Sequence, residues 1–311
     1  MSAYKNKEMV KVSYYYYKKG LTQAEIAKRM NMSRQRVNRI LKKALDDNIV
    51  QIKIHDIDKY NVELENKLEE KFNLKQAVVI NAIDSQTIFE ALGMAGAEYL
   101  DEILKKDDMI GVTWGRTLSE VAKRLSYNEK LNVSAVQMIG GLNIAYMDLQ
   151  ADEITRTIGR KLGGNSHLLY APAIVESKEI KDVLMSDNNL KDTFINMERC
   201  NIIIAGIGEL KEDTKLHEDG SLNEEYKKHL LCQGCVGDIG FSWYDKDGNY
   251  VKQDYDDRTI GYNILKNKNN ALVVGIAGGE KKYEAILGAL RGKHLDVLIT
   301  DSDIAEKLVS Q

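Results

Sequence analysis

Six short runs rich in β-branched residues, separated by stretches of helical length, constrain the fold of this 311-residue chain more than any other feature. The runs are residues 77–80, 109–114, 133–139, 201–208, 271–279 and 295–300. Glycine or polar residues bound each run, and amphipathic segments such as TLSEVAKRL lie between several of them. Strands that alternate with helices require crossover connections. The pattern therefore predicts an α/β domain with a mainly parallel sheet, whose ligand sites lie at the carboxyl ends of strands.

A different pattern occupies residues 21–41, LTQAEIAKRMNMSRQRVNRIL, which have the spacing of two short helices joined by a tight turn. Thr22 and Ser33 stand where an N-cap hydroxyl would accept a free backbone N–H, and Asn31 and Met32 fill the turn. Apolar residues of the second helix recur at the spacing of one buried face: Val37, Ile40, Leu41, Ala44 and Leu45. This segment therefore predicts a helix-turn-helix.

The opposite face of the second helix carries cationic and amide side chains. The expected DNA-binding residues are Ser33, Arg34, Gln35, Arg36, Asn38, Arg39, Lys42 and Lys43. Arginine and amide groups hydrogen-bond to base edges in the major groove, while lysines neutralise phosphates. Residues 1–55 hold 13 Lys and Arg against 4 Asp and Glu, whereas the remainder holds 31 against 43. A basic head on an acidic body predicts binding of double-stranded DNA by the head alone; the alternative is an ordinary solvated helical hairpin.

The segment that follows sets the domain boundary. Residues 49–54 alternate apolar and polar side chains, which predicts a short wing beside the helices. The next stretch, to residue 72, is charged and helix-forming, and Tyr14 to Tyr17 are expected to pack against the helix-turn-helix. We expect a winged helix-turn-helix domain over residues 1–56, and a linking helix with an effector domain over 57–311.

Composition limits the location and chemistry of the protein. No apolar run has membrane-spanning length, and the first residues lack the hydrophobic block of a signal peptide. Three cysteines fit a reducing cytoplasm better than a disulfide framework. Cys232 and Cys235 form a C-x2-C pair with His229 upstream, a pattern also seen at zinc and redox sites, but no second ligand pair stands at finger spacing. We expect a cytoplasmic protein with no metal, cofactor or membrane partner.

The loop after the second apolar run is a candidate anion site. There Trp114, Gly115, Arg116 and Thr117 join a strand to a helix. A helix start offers free N–H groups, Gly115 lets a ligand approach the backbone, and the two following side chains add donors. The loop predicts a phosphate site; the alternative is a tight turn without a ligand.

Two further segments add candidate polar groups. Gly278 and Gly279 precede another helix, and Lys282 just inside it would reach a phosphate or hydroxyl, unless it is an ordinary solvated lysine. Asp238 lies among glycines before an aromatic strand, where a carboxylate would accept hydrogen bonds from sugar hydroxyls or simply shape a turn.

Together these segments resemble the SorC family of bacterial transcriptional regulators, also called DeoR-type sugar-binding regulators, nearly from end to end. The matching motifs are YYYYKKGLTQAEIAKRMNMSRQRVNRIL, GVTWGRTL, CVGDIGFSWYDKDGNYV and GIAGGEKKYEAILGALRGKHLDVLITD. The resemblance implies a winged helix-turn-helix joined to a Rossmann-like effector domain similar to glucosamine-phosphate deaminase and ribose-phosphate isomerase. It also implies a phosphorylated sugar or sugar-like effector and a homo-oligomer, usually a tetramer formed as a dimer of dimers.

The resemblance further implies roles for single residues. Gly115 to Thr117 match the phosphate loop, Lys282 matches the lysine of the GG-x-x-K stretch, and Asp238 matches the acidic residue that contacts the sugar. Gln150 matches a polar contact about ten residues after a glycine pair. The expected effector-binding residues are Thr113, Trp114, Gly115, Arg116, Thr117, Gly140, Gly141, Gln150, Asp238, Gly278, Gly279 and Lys282. Ile139 departs from the family, because some relatives have a lysine or arginine there, including a lysine that forms a Schiff base with deoxyribose phosphate.

These features predict a ligand-responsive transcription factor without catalytic residues. Repression relieved by ligand is the commoner behaviour in the family. One alternative is a sugar-phosphate isomerase or deaminase that uses Asp148, Asp152 or Asp238 as a base, although a fold does not confer a reaction. Another is a constitutive architectural DNA-binding protein that responds to no metabolite.

Overall fold

The computed structural model describes residues 3–52, 61–81, 87–141, 150–211, 224–267 and 270–311. The chain divides into two compact units, Met1–Asp56 and Ile57–Gln311. The helices of the first unit are α1 (Ala3–Ser13), a π-helical turn (Tyr14–Lys18), α2 (Gln23–Arg29) and α3 (Arg34–Asp46).

Both caps predicted for the helix-turn-helix are present. Thr22 accepts the Glu25 N–H at 3.3 Å, and the Glu25 carboxylate accepts the Thr22 N–H at 2.7 Å, which completes a capping box at the start of α2. Ser33 accepts the Arg36 N–H at 3.2 Å and caps α3. Between the helices Asn31 has a φ of +50°, a backbone angle that asparagine tolerates better than most residues. The local sequence therefore determines where the two helices begin.

The core of this unit joins α1, α2 and α3 through Val12, Ile26, Val37 and Leu41. Leu45 was expected on the buried face but is 37% exposed and is not part of this cluster.

The tyrosine run and the wing depart from expectation in other ways. The run occupies a helical turn whose successive side chains point in different directions, so only Tyr15 packs on the core while Tyr14, Tyr16 and Tyr17 are exposed. Residues 49–52 form no strand, and the rest of the predicted wing lies outside the described residues.

The second unit contains helices α4 (Val62–Phe72), α5 (Ile88–Ile103), α6 (Arg116–Arg124), α7 (Ala151–Leu162), α8 (Lys178–Met185), α9 (Asn188–Arg199), α10 (Glu224–Cys232), α11 (Tyr283–Arg291) and α12 (Ser302–Ser310). Its strands are β1 (Gln76–Ile80), β2 (Met109–Val112), β3 (Val133–Gln137), β4 (Gly163–His167), β5 (Ile202–Gly206), β6 (Gly208–Glu209), β7 (Cys235–Ile239), β8 (Ser242–Asp245), β9 (Leu272–Ile276) and β10 (Val297–Asp301). Short 3-10 turns lie at Glu129–Leu131, Asp254–Asp257 and Glu280–Lys282.

Within the described residues, seven strands form a parallel sheet in the order β1-β10-β9-β5-β2-β3-β4. All six predicted runs contribute a strand, which confirms the α/β prediction. From β2 the chain adds strands outward through β3 to β4, then returns to the other side of β2 at β5. This reversal creates a crevice beyond the carboxyl ends of β2 and β5, the usual position of a ligand in such sheets. A small antiparallel sheet, β6-β7-β8, begins directly after β5, and its second and third strands follow α10.

Helices cover both faces of the parallel sheet. Ile203, Val273 and Leu298 belong to one buried cluster, whereas the next residue in each strand belongs to another. Adjacent residues of a strand point to opposite faces, so both faces are apolar and buried.

The charged helix α4 protects the free edge of β1. Glu69 accepts the Ala77 N–H at 2.9 Å, and Glu65 accepts the Val79 N–H at 3.0 Å. These acceptors satisfy edge N–H groups that would otherwise be available to another strand. The glutamates of the predicted linking helix therefore have a structural role.

Candidate DNA-binding and effector-binding sites

The predicted DNA-binding face of α3 is open to solvent. All eight predicted side chains, from Ser33 to Lys43, are exposed. Val37, Leu41 and Ala44 are buried on the opposite side, which fixes the orientation of the helix in its unit.

Intramolecular ion pairs divide the cations of this face into two groups. Arg36 pairs with Glu8 at 3.0 Å, and Lys43 pairs with Asp47 at 3.2 Å. In the described part of the chain, no side-chain partner engages five predicted residues: Arg34, Gln35, Asn38, Arg39 and Lys42. On the exposed face of α3, these five side chains therefore keep donors that are available to a polyanion.

The start of α6 lies at the crevice between β2 and β5. Gly115 has a φ of +113°, which favours glycine, and a Cβ placed there would meet nothing within 4 Å. The backbone is thus open on that side, next to the first N–H groups of the helix, which have no intrahelical acceptor. Thr117 is buried, while the exposed Arg116 places its guanidinium 4.9 Å from the Phe89 ring centroid.

Contacts connect this helix start to the neighbouring strands. Thr113 Oγ1 accepts the Gly206 N–H at the end of β5 at 3.4 Å. The Trp114 ring stacks on Phe241, with centroids 5.8 Å apart and planes inclined by 15°. A Cβ on Gly240 would lie 3.5 Å from Thr113 Cγ2. The loops after β2, β5 and β7 therefore meet at one end of the sheet.

Lys282 joins the same place from the 3-10 turn before α11. Its ammonium donates to the Ile207 carbonyl and pairs with Glu209 at 3.0 Å. The Lys282 side chain is only 21% exposed, so it is held by these partners rather than solvated. Glu209 was not among the predicted site residues.

Asp238 in β7 completes the group. Its Oδ2 accepts the Phe241 N–H at 2.8 Å, and a Cβ on Gly208 would fall 2.0 Å from Oδ1, so only glycine leaves room for this carboxylate. Burial raises the pKa of Asp238 to about 6, although the Phe241 N–H and the Lys282 charge act in the opposite direction.

The glycine pair before Lys282 is fixed by Asp301 at the end of β10. Asp301 Oδ2 accepts the Gly279 N–H at 2.7 Å, and Oδ1 accepts the Ile304 N–H at 3.0 Å as the N-cap of α12. A Cβ on Gly278 would lie 2.4 Å from Asp301 Oδ2. Gly278 therefore makes room for this buried carboxylate, whereas Gly279 has a φ of +91°, which favours glycine, and its N–H is already satisfied.

Gly140 and Gly141 also have structural explanations. Their N–H groups donate to the Ile260 and Ala171 carbonyls at 2.9 and 2.7 Å, and a Cβ on Gly140 would lie 2.6 Å from Pro172 backbone atoms. Gly140 and Gly141 therefore stay predicted effector-binding residues whose N–H groups already donate within the protein.

Ile139 and Gln150 frame the apolar side of the site. Ile139 is buried in a cluster that includes Phe241 and Trp243, with Trp114 packed against it. Gln150 is half-buried and immediately precedes α7, whose first residue, Ala151, belongs to the same cluster.

The structure also bears on the metal and membrane alternatives. Cys235 is buried, which raises the pKa of its thiol to about 12, whereas Cys232 is exposed. No group of three His, Cys, Asp or Glu side chains suited to a metal ion occurs among the described residues. In the same ranges no helix is long and apolar enough to cross a membrane. Of the candidate bases, Asp152 lies in the first turn of α7 and Asp148 lies outside the described residues.

A helix-turn-helix with an exposed cationic helix, joined to an α/β unit with converging polar loops, defines a DNA-binding regulator with a ligand domain. Residues 59–310 match the family described as "Putative sugar-binding domain", and residues 8–47 match "Sigma-70, region 4". The chain belongs to the SorC/DeoR-type family of sugar-binding transcriptional regulators.

Individual relatives agree with this assignment. The deoxyribonucleoside regulator of Bacillus subtilis (strain 168) is 31% identical over 299 residues, covering 95% of both chains. The sorbitol operon regulator of Klebsiella pneumoniae is 29% identical over 310 residues, 97% of both chains. The crystal structure of full-length SorC from that organism superimposes with a TM-score of 0.75 over 97% of both chains. The protein is thus a transcriptional regulator, and the enzyme alternative is not supported.

Proposed function

We propose that this regulator is a cytoplasmic repressor whose binding to operator DNA is controlled by a phosphorylated sugar or sugar-like effector. The observation that carries the proposal is the convergence of the open Gly115 backbone, Lys282 and Asp238 at the crevice between β2 and β5. An anion-binding helix start beside groups that bind hydroxyls matches the two chemical parts of a sugar phosphate.

Each part of the effector has a proposed partner. The phosphate binds at the first turn of α6, where Gly115 gives access to backbone N–H groups and Thr117 adds a hydroxyl. The sugar end extends toward Asp238, whose carboxylate accepts hydroxyl hydrogen bonds, and toward Lys282. Gln150 lines the site from the start of α7.

DNA recognition is proposed for the unpaired face of α3. Arg39, Gln35 and Asn38 would contact base edges, while Arg34 and Lys42 neutralise phosphates. Paired helices from two subunits of a homo-oligomer, a dimer of dimers by family resemblance, would bind successive major-groove half-sites. The effector would favour one arrangement of the subunits, and the response would be no larger than its preference for that arrangement.

A thermal-shift screen of the full-length protein against phosphorylated pentoses, hexoses and polyols tests the proposal. A true effector should raise the melting temperature and alter salt-dependent binding to operator duplex, whereas its unphosphorylated analogue should do neither. Thr117→Val should weaken the response to effector and leave duplex binding intact, while Thr157→Val in α7 should preserve both. If every phosphorylated compound leaves both melting temperature and duplex affinity unchanged, the proposal is wrong.

A further inference from the structure

The Lys282 ammonium pairs directly with one carboxylate and interacts electrostatically with a second. Glu209 Oε2 lies 3.0 Å from Lys282 Nζ, and the positive charge of Lys282 also acts on Asp238. The side chains of Lys282 and Glu209 are only 21% and 24% exposed, so solvent screens their interaction less than that of a surface pair. A carboxylate of the protein therefore already balances the positive charge of Lys282.

The small antiparallel sheet fixes this arrangement. Gly208 pairs with Asp238, and Glu209 pairs with Gly237, so the two acidic residues lie on adjacent strands. The missing side chain at Gly208 leaves the space that the Asp238 carboxylate occupies. The Ile207 carbonyl, one residue earlier, accepts from the same ammonium. Backbone pairing thus places the two acidic residues on adjacent strands, and Lys282 binds the strand that carries Glu209.

The Lys282–Glu209 pair affects which chemical groups the effector can carry at the end remote from the phosphate bound at α6. Among the described groups Lys282, Glu209 and Asp238, a second phosphate would meet the Glu209 carboxylate, which already pairs with the ammonium in a poorly solvated place. Carboxylate oxygens accept hydrogen bonds from neutral hydroxyls, and the ammonium donates to them. The same trio therefore suits a polyol end.

We infer that Glu209 is a specificity-determining residue, which makes the Lys282 end of the site accept hydroxyl groups and reject a second phosphate. The effector is then a sugar or polyol with a single phosphate. This inference rests on the proposed function, which assigns that phosphate to the start of α6.

Matched pairs of ligands test the inference on the full-length protein. The probes are ribose 5-phosphate, fructose 6-phosphate and glucitol 6-phosphate, each with the corresponding bisphosphate, and dissociation constants are measured by calorimetry. At least one monophosphate should bind the wild-type protein roughly tenfold or more tightly than its bisphosphate. Glu209→Gln keeps the shape of the side chain and removes its charge. It should change the ratio of the two dissociation constants about tenfold in favour of the bisphosphate.

Glu280→Gln is the matched control. Glu280 pairs with Lys307 at 2.8 Å and is 85% exposed, so its replacement changes net charge equally without touching Lys282. It should leave the ratio unchanged, and unliganded melting temperatures should show that both variants are folded. A bisphosphate that binds the wild-type protein as tightly as its monophosphate, or an unaltered ratio in Glu209→Gln, overturns the inference while leaving the proposed function standing. Binding of none of the probes overturns the inference, and failure of the whole phosphorylated screen overturns the proposed function as well.

Discussion

The exposed face of α3 and the end of the sheet where Lys282 lies are both polar, but they differ in how their groups are satisfied. On α3, Arg39 and Lys42 extend into solvent without a side-chain partner in the described part of the chain. At the sheet end, Lys282, Asp238 and the Gly279 N–H each have a partner within the protein. The face of α3 can therefore bind a partner without losing internal contacts, whereas the sheet end must exchange internal contacts for ligand contacts.

This difference suits the two tasks of a regulator. An exposed cationic helix gains affinity for any DNA duplex because counterions are released from the DNA. Binding of DNA therefore requires no rearrangement of contacts within the protein. A ligand that replaces internal hydrogen bonds changes the strength with which loops are held, and such a differential effect is required for a conformational response. The following predictions, in order of decreasing size, test this contrast.

The largest effect is expected from removing the carboxylate that holds the Gly279 loop and caps α12. Asp301→Ala deletes the cap of α12 and leaves the Gly279 N–H without an acceptor, which should cost about 3 kcal/mol. Urea unfolding monitored by hydrogen exchange in α12 would measure the loss. Asp303→Ala, an exposed change in the same turn, should cost far less; equal losses would show that the Gly279 loop does not depend on Asp301.

The next effect concerns the buried carboxylate of Asp238 and depends on pH. Because its folded pKa of about 6 exceeds the ordinary 3.8, the unfolded chain releases this proton first as pH rises, and the free energy of unfolding falls between about pH 4 and 6. Asp238→Asn should therefore be more stable than wild type at pH 7, by at most about 3 kcal/mol, with no difference below pH 4. Melting temperatures of both proteins between pH 4 and 7 would measure this difference. A difference that does not change with pH would contradict the raised pKa of Asp238.

An intermediate effect is expected on the open surface of α3. Arg39→Ala should lower discrimination between operator and mismatched duplex by about 1–3 kcal/mol, without altering effector-induced stabilisation. Arg36→Ala should have a smaller effect, since its guanidinium already binds Glu8. Competition binding at fixed salt compares the two variants, and equal losses would remove the distinction between paired and unpaired cations.

The smallest effect concerns the N-terminal cap of α2, the helix that precedes α3. Thr22→Ala removes one half of the capping box of α2 and should destabilise the first unit by about 1 kcal/mol, while Thr22→Ser keeps the acceptor and should cost much less. Hydrogen exchange of amides in α2 reports this locally. An identical response of the two variants would mean that the hydroxyl contributes nothing.

Much of the fold was predictable because its signals are local. The six apolar runs became strands, and Thr22 and Ser33 capped the helices as expected, since periodicity and caps depend on near neighbours. Strand β4 was missed because GGNSH contains no apolar run and lies at the sheet edge. Strand β6 is only two residues long and has no pattern to detect.

The site was less predictable, because its partners meet only through strand order. Glycine-rich turns pointed to the loops that hold Gly115, Asp238 and Lys282, and the structure brings those loops together. Glu209 acquires its contact from the pairing of β6 with β7, and Asp301 acquires its contact because β10 lies beside β9. Such long-range pairings leave no trace in residue spacing. Gly140 shows the converse, since a conspicuous glycine is also required by close backbone packing against Pro172 and Ala173.

Helix α12 makes hydrogen bonds at both of its ends, to the Gly279 loop and to α4. Its first turn is bound through Asp301 to the Gly279 loop, and its last carbonyls, Leu308 and Val309, accept hydrogen bonds from Lys71 in α4. At about 1.5 Å per residue, the nine residues of α12 span about 14 Å between these two sets of contacts. Helix α4 is the first described element after the DNA-binding unit. The Gly279 loop and the helix closest in sequence to the DNA-binding unit are thus both tied to α12, and we expect shortening of α12 to loosen both.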